Sequence, residues 1–432
     1  MRKGMREALL AGVAGFAIAA AATGAQAGGF ALREQSAQGL GQAFAGSAAG
    51  AGGLSSMFWN PATITKFDGV QSSWSVSGII PYARVTPTPT SPTAALGGSG
   101  DLAQDAVLPA SYTSIQINPW LWAGLQVNTP FGLATKTPAT WSGQVYNRLS
   151  KVFSAEVTPT IGIKINDMIS VGLGLRVMYF KTRLSSAAGA GPGAPGVRLE
   201  GEDLTLGFTG GVTFTPFAGT ELGIGYRSKV KPHLEGTLLT PATYMAINSK
   251  ISLPDQITAG LRQKVTDQFT FLAGFEWTNW STLSSFPVIK SHAPGAGATV
   301  TTLAFQYRDG WYASIGGEYK WSPALTVRAG VGYERTPVAD AVRTPRLPDN
   351  DRIWLTIGGT YNFNSKLSAD FSFAHVIPKK GSINIAPGHP AFAGLPFAAT
   401  VKSRLDIVAV GLNYRWDDPA VVQGNLPIVR KY

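Results

Sequence analysis

Val171-Gly-Leu-Gly-Leu-Arg-Val-Met-Tyr179 decides the fold. In an extended chain Val171, Leu173, Leu175, Val177 and Tyr179 fall on one side, and Gly172, Gly174, Arg176 and Met178 on the other. One face is apolar and the other small or charged, which suits a strand with lipid outside and a lumen inside. Leu325, Val327, Ala329, Val331 and Tyr333 oppose Thr326, Arg328, Gly330, Gly332 and Glu334 in the same way. Ile353, Leu355 and Ile357 likewise oppose Arg352, Trp354 and Thr356. A soluble sandwich also alternates, but its charged residues face water and its connections lack a regular asymmetry.

Here the asymmetry is present. Tight turns are expected at Asn118-Pro119, at 165–167, 216–220, 266–268, 320–323 and 362–366. Between them run longer Gly/Pro/Ser-rich connections near 84–105, 129–147, 185–200, 237–249, 284–300, 336–350 and 379–400. Alternating short and long links describe an up-and-down transmembrane β-barrel of about fourteen strands, with short periplasmic turns and long outer loops. Trp122, Trp277, Trp311, Trp321, Tyr226 and Trp416 sit near candidate strand ends, where amphipathic rings favour the headgroup level.

Composition agrees with this class. With 51 Gly, 11 Trp, 13 Tyr, 21 Phe and 14% charged residues, the chain suits many aromatic-ended strands better than soluble α/β domains. It contains no cysteine, which fits an exported protein. Arg2, Lys3 and Arg6, the apolar stretch Leu9 to Ala22, and Ala25-Gln26-Ala27 form an export signal with a cleavage site after Ala27. Of the net charge of +11, Arg2, Lys3 and Arg6 against Glu7 account for two, which leaves +9 on the mature chain. The remaining cations are scattered, so a basic lumen and contact with outer-membrane lipids and lipopolysaccharide explain them better than nucleic acid.

The stretch from Gly28 to Ala62 is Gly/Ala-rich and nearly uncharged, yet holds Phe30, Leu32, Leu40, Phe44, Phe58 and Trp59. It is too polar to span a bilayer and too poor in periodic bulk to fold alone, so it reads as a plug inside the barrel. The expected organisation is a signal peptide (1–27), an N-terminal hatch (28–66), a barrel (67–416) and a C-terminal tail (417–432).

Several segments in shared order resemble the FadL family of outer-membrane long-chain fatty acid transporters, which includes relatives that import aromatic hydrocarbons. They are Gly29-Phe30, Gly39-Leu40-Gly41, Ala43-Phe44-Ala45-Gly46 and Asn60-Pro61-Ala62, followed by Phe131-Gly-Leu-Ala-Thr135, Tyr226-Arg-Ser-Lys-Val230 and Leu253-Pro-Asp-Gln256. Glu334-Arg-Thr-Pro-Val338 and Leu347-Pro-Asp-Asn-Asp-Arg-Ile-Trp-Leu355 complete the set. The tail after Trp416 departs from family barrels, which commonly stop at an aromatic residue closing the last strand. The resemblance implies a hatch-closed barrel with an outer loop groove, a tighter pocket near the hatch, and an inward kink of the third strand that releases ligand sideways into the bilayer.

Candidate site residues follow. Phe131, Leu133 and Trp141 lie in the long connection 129–147 and are candidates for the outer groove, or pack the loop. Arg176 and Arg352 have lumen-facing parity and either meet a ligand carboxylate or pair with internal acids such as Glu156 or Glu334. Lys181 and Arg183 lie near the outer end of their strand. By the resemblance, Phe30 contacts the kinked strand, while Asn60 and Pro61 end the hatch. Gly124, in the third strand, and Pro130, just after it, tolerate a break in the ladder.

His233, His292, His375 and His389 show no metal-ligand spacing, and the one GxGxxG match, Gly191 to Gly196, holds two prolines. No enzyme, cofactor or metal is therefore expected. The expected protein is a monomer importing hydrophobic small molecules, long-chain fatty acids first. Aromatic hydrocarbon uptake is the alternative on the same fold, and a general diffusion porin the alternative without a plug.

Overall fold

The computed structural model describes residues 28–292 and 294–417. The export signal over 1–27 and the tail beyond Asp417 lie outside the described residues. Among the described residues, and counting an interrupted strand once, fourteen antiparallel strands close into a barrel. They are β1 (Val70–Pro87), β2 (Ala106–Asn118), β3 (Leu121–Asn128, resuming at Gly132–Lys136), β4 (Leu149–Lys164), β5 (Ile169–Ala187) and β6 (Gly196–Phe217). Then come β7 (Thr220–Arg227 and His233–Leu239), β8 (Tyr244–Lys250 and Gln256–Lys264), β9 (Phe269–Thr278 and Ser285–Lys290) and β10 (Thr299–Ala304 and Gly310–Lys320). The last four are β11 (Leu325–Arg335), β12 (Arg352–Asn362), β13 (Leu367–Pro378, continuing at Gly381–Ile385) and β14 (Phe397–Arg415). Each pairs with the next, and β14 returns to β1 in register from Gln71↔Arg415 to Pro87↔Ala399. Closure leaves no sheet edge in hydrocarbon, where an unpaired amide has no water to turn to.

The period of two behaves as the sequence indicates. Leu173 and Leu175 are at least half exposed on the outer wall, whereas Arg176, between Leu175 and Val177, is 2% exposed on the lumen side. Short links at 119–120, 165–168, 218–219, 265–268, 321–324 and 363–366 mark one end, the periplasmic end by the usual asymmetry. Three connections expected to be long have eight residues or fewer: 188–195 joins β5 to β6, 240–243 joins β7 to β8, and 291–298 joins β9 to β10. The cause is strand length. β5 and β6 run for 19 and 22 residues, well past the ~9–11 that cross a bilayer, so residues read as loop continue the sheet outside the membrane.

Two levels of outward rings bracket the wall. Tyr319 packs on Trp321, Tyr361 on Phe363 and Tyr414 on Trp416 at the short-turn end. Phe208 meets Tyr226, and Phe275, Trp311 and Tyr333 form a row, at the other. From Trp311 to Trp321, ordinary strand rise and barrel tilt give about 25 Å, the height of a membrane-facing band. Trp122 does not belong to either belt. It is buried on the lumen side and its Nε1–H donates to the Phe67 carbonyl at 2.9 Å, because its parity along β3 points inward.

Residues 28–66 lie inside this wall. They form the short helix α1 (Ala37–Leu40) and three 3₁₀ turns (Ser47–Ala49, Gly53–Phe58 and Pro61–Lys66), each far too short to persist in water without enclosure. Ser36 caps α1 by accepting from Gly39 N–H, and Asn60 caps the last turn by accepting from Ala62 N–H. The Asn60 side chain also donates to Val212 O at 2.9 Å, so one amide both ends the segment and ties it to β6. The wall yields to the segment at bare glycines. A Cβ on Gly223 would run into the Ala48 carbonyl, and one on Gly225 into the Trp59 carbonyl. Leu40, Phe44, Met57, Phe58 and Trp59 pack with Tyr112, Tyr312 and Trp354 of the wall into one continuous core.

Removing residues 28–62 should leave a folded barrel, since apart from the Ala31↔Phe131 bridge the strand ladder lies outside them. Planar-bilayer recording should then show a persistent open conductance that the intact chain lacks. A variant that does not assemble, or stays sealed, would show that the segment is not the seal.

Candidate functional site

Four consecutive strands, β7 to β10, break at one level: at 228–232, 251–255, 279–284 and 305–309. Pro232 and Pro254, which lack an N–H, sit in the first two breaks, and Gln306 adopts a left-handed φ of 48° in the last. The outer segments of these strands continue as an apron that leans over the lumen. Beneath it is a cavity with about 780 Å³ free of protein atoms, part of it open to the outside. Its lining is overwhelmingly apolar: Leu133, Phe180 and Leu184 from the wall, Leu234, Ile247, Phe286 and Val288 from the apron, and Phe30 from the inner segment. A second hollow of about 760 Å³ adjoins it among the outer loops, lined by Tyr146, Val338, Val342 and Pro390. Leu303, Phe305, Tyr307 and Arg346 line both, so the two hollows share one wall.

Arg346, on the loop between β11 and β12, is the cation of this path. Among the described residues no Asp or Glu forms an ion pair with it; its nearest polar contact is Ser150 Oγ, 3.5 Å from Nη1. Loss of water around the guanidinium lowers its pKa to about 10, which leaves it charged at neutral pH. The other ionic lining group, Glu200, is already neutralised by Arg183 (2.7 Å) and Arg198 (3.8 Å). The cavity thus presents one uncompensated positive charge in an apolar wall. Sequence reasoning missed Arg346 because a loop arginine among prolines has no periodic context.

Phe30 connects the cavity to the wall. Its ring meets Trp280 edge-on at 4.8 Å and Phe131 at 5.9 Å. Phe131 lies in the interruption of β3, between Asn128 and Gly132. There Leu32 N–H donates to Pro130 O and Gly132 N–H to Phe30 O, both at 2.9 Å, so the inner segment stands in as a strand. On the other side, β2 pairs with β3 only from Ser111↔Val127 downward. Ala106 to Ala110 of β2 pair with β1 alone, and the Ala103↔Thr135 bridge closes the wall above them. The result is a gap in the side of the barrel at the level of Pro130. Gly124 is not the break: it sits in regular ladder opposite Ser114 and Thr160, and its missing side chain makes room for Ile64 and Met57.

The remaining sequence candidates separate. Leu133 and Phe30 line the cavity, while Trp141 packs with Phe397 in the outer-loop core and donates from Nε1 to Asn147 O. Arg176 and Arg352 do not line it. Both Nε and Nη2 of Arg176 reach Glu156 Oε2 (2.9 and 2.8 Å), and the other Glu156 oxygen accepts from Arg227. Arg352 pairs with Asp349 and with Glu334 (3.4 Å), and Arg33 joins the same group through Glu334 and Glu276. These buried arginines lock wall and inner segment together, which is the second of the two roles their parity allowed. Lys181 points outward and pairs with Glu202 at 2.5 Å. Asn60 and Pro61 sit deep inside, remote from the cavity lining.

A strand barrel with an internal plug, an apolar path from the outer loops and a gap in its side is the design of an outer-membrane conduit for hydrophobic molecules. The chain belongs to the outer membrane protein transport protein family (OMPP1/FadL/TodX), whose model matches residues 18–416. It is 25% identical over 419 residues to a long-chain fatty acid transport protein of Escherichia coli O6:H1, covering 87% of this chain and 93% of that one. It is 27% identical over 433 residues to a 47 kDa outer membrane protein of Pasteurella multocida, covering 93% and 97%. Among solved structures, a Pseudomonas aeruginosa FadL homologue superposes with a TM-score of 0.81 at 22% identity, over 90% of this chain and all of that one. The Ralstonia pickettii toluene transporter TbuX gives 0.64 at 17%, over 85% and 94%. The protein is therefore an outer-membrane transporter of hydrophobic substrates and not an enzyme.

Glu156→Gln should be among the most damaging single changes in the lumen. It keeps the shape but leaves Arg176 and Arg227 buried without an anion, at a cost on the order of 3–5 kcal/mol. Urea titration of the detergent-solubilised barrel should show the loss, and an unchanged midpoint would mean that water already neutralises the pair.

Proposed function

We propose that the chain imports long-chain fatty acids: the acyl chain enters the outer hollow, moves beneath the apron, and leaves through the gap beside Pro130 into the bilayer. The observation that carries this reading is Arg346, a desolvated guanidinium without an acidic partner among the described residues, in a mostly apolar cavity. A carboxylate supplies the missing anion as a charge-assisted bond, while each buried methylene adds ~0.8 kcal/mol. The names of curated relatives as long-chain fatty acid transport proteins support the same class.

Two sites in series answer a physical difficulty. A poorly soluble ligand needs apolar surface to leave water, but one deep site would hold it. Passage from a loop-lined hollow to a pocket whose floor is Phe30 lets binding act on the segment that fills the gap. Ligand pressing on Phe30 strains the Leu32–Pro130 and Gly132–Phe30 bonds, and release follows when they part. A single barrel is the working unit in this reading.

Aromatic hydrocarbon uptake is the second reading, favoured by the ring-rich lining of Phe30, Phe180, Phe286 and Phe305. A general diffusion porin is disfavoured because residues 28–66 fill the lumen.

Binding of oleate and of toluene to the purified protein, with Arg346→Ala in parallel, separates these. Loss of a charge-assisted contact worth ~1.5–3 kcal/mol should weaken oleate roughly 10–150-fold and leave toluene unchanged. Oleate binding that ignores the substitution, beside firm toluene binding, would move the chain to the hydrocarbon branch.

A further inference from the structure

The outer wall carries an unpaired cationic cluster where β14 closes on β1. Arg84 and Lys402 stand directly opposite each other in the ladder, and Arg404 stands opposite Tyr82 one outward position below. All three cations are exposed on the outward face, and the Arg404 guanidinium lies 5.3 Å from the centre of the Tyr82 ring. Lys380, exposed beside the Gly381↔Val401 pair, adds a fourth positive charge from β13. Among the described residues none of these four makes an ion pair. The acids nearest in the ladder are already engaged: Asp406 with His375 at 2.6 Å, and Asp101 with the N–H groups of Ala83 and Ala103.

Like charges set directly across a strand pair destabilise a sheet unless something else neutralises them. Elsewhere on this wall some outward cations at similar height are matched, Lys181 to Glu202 and Arg183 to Glu200. At the seam none of the four is, and its height says what matches it. One outward position below Arg404 stands Asp406, opposite the exposed Ile80 and held by His375; past it lie Val408, Val410 and Leu412, exposed and apolar, and Tyr82 sits at the crossover. The cluster therefore stands at the outer edge of the hydrocarbon, facing lipid and not solvent-filled lumen. Groups at that level are the phosphorylated sugars of outer-leaflet lipid, which bring two acidic phosphates to the mouth of their acyl chains.

We propose that Arg84, Lys402 and Arg404 form a docking site for the phosphate of lipid A, the acyl-chain anchor of lipopolysaccharide, on the seam that closes the barrel. The guanidinium of Arg84 offers a two-pronged contact, Lys402 a point charge beside it, and Arg404, held over Tyr82, the lower edge. The acyl chains then lie along Ile80, Val408 and Val410.

The test is native mass spectrometry of the full chain, purified in detergent and titrated with bisphosphorylated lipid A, with lipid A stripped of its phosphates as the comparison. An Arg84→Gln/Lys402→Gln double variant and a Lys181→Gln variant run in parallel. Removing two charge-assisted contacts should lower bound lipid A about tenfold or more in the double variant. Lys181→Gln should match the unaltered chain, and the stripped lipid should bind as weakly to the unaltered chain as lipid A does to the double variant. Equal binding of the two lipids by the unaltered chain overturns the site, even if the double variant fails to assemble. So does full binding by an assembled double variant, or an equal loss in Lys181→Gln, which would show diffuse charge in place of a site.

Discussion

A hole in the side of a membrane barrel is forbidden unless every backbone group around it finds a partner inside the protein, and the rest of this structure follows from how that demand is met. Interrupting β3 removes its ladder bonds over Thr129 to Phe131. Pro109 and Pro130, on the two sides of the gap, carry no N–H and so reduce the debt. The rest is met from within: Leu32 N–H and Phe30 O serve the broken strand, Gln35 donates to Thr129 O at 2.8 Å, and Ser154 Oγ accepts from Phe131 N–H and donates to Phe131 O. The segment that closes the lumen is therefore also the patch that makes the gap tolerable. It cannot move without exposing the edge, and the edge cannot open without its moving.

Electrostatics divides the interior accordingly. Below and beside the inner segment most charges are paired in compact groups: Arg176–Glu156–Arg227, Arg33–Glu276–Glu334–Arg352–Asp349, and Lys66–Glu221–Arg262. Each joins strands to one another or to the segment, and each is satisfied without a ligand. The cavity under the apron is the reverse, mostly apolar with Arg346 uncompensated among the described residues. Stability thus rests on the paired arginines and, in the proposed reading, recognition on Arg346, which is why substitution of a lumen arginine chosen by parity alone would test folding more than binding.

What the sequence made legible was whatever obeys a period. Alternation along 171–179, 325–334 and 352–357 located the wall and its two faces, and turn residues located the periplasmic links. Arg176 and Arg352 were correctly placed inside, but parity does not say what an inward arginine meets. Parity also went unheeded at Trp122, where proximity to a strand end suggested the interface while its side of β3 put it against Phe67. The breaks in β7 to β10 left no periodic trace, since each half keeps its own alternation, so the apron and the cavity beneath it were invisible. Gly124 and Pro130 were both plausible places for a kink; only the pairing of residues 30–32 with 130–132 distinguishes the glycine that accommodates a neighbour from the proline that ends a ladder.

The direct measurement is amide hydrogen exchange at Leu32 and Gly132, with and without saturating oleate, using Gly46 as reference because its N–H is held by Ala273 O far from the gap. Coupling between cavity and gap predicts faster exchange at Leu32 and Gly132 on binding and no change at Gly46. Protection unchanged at the first two while oleate is bound would contradict the account, as would equal loosening of all three.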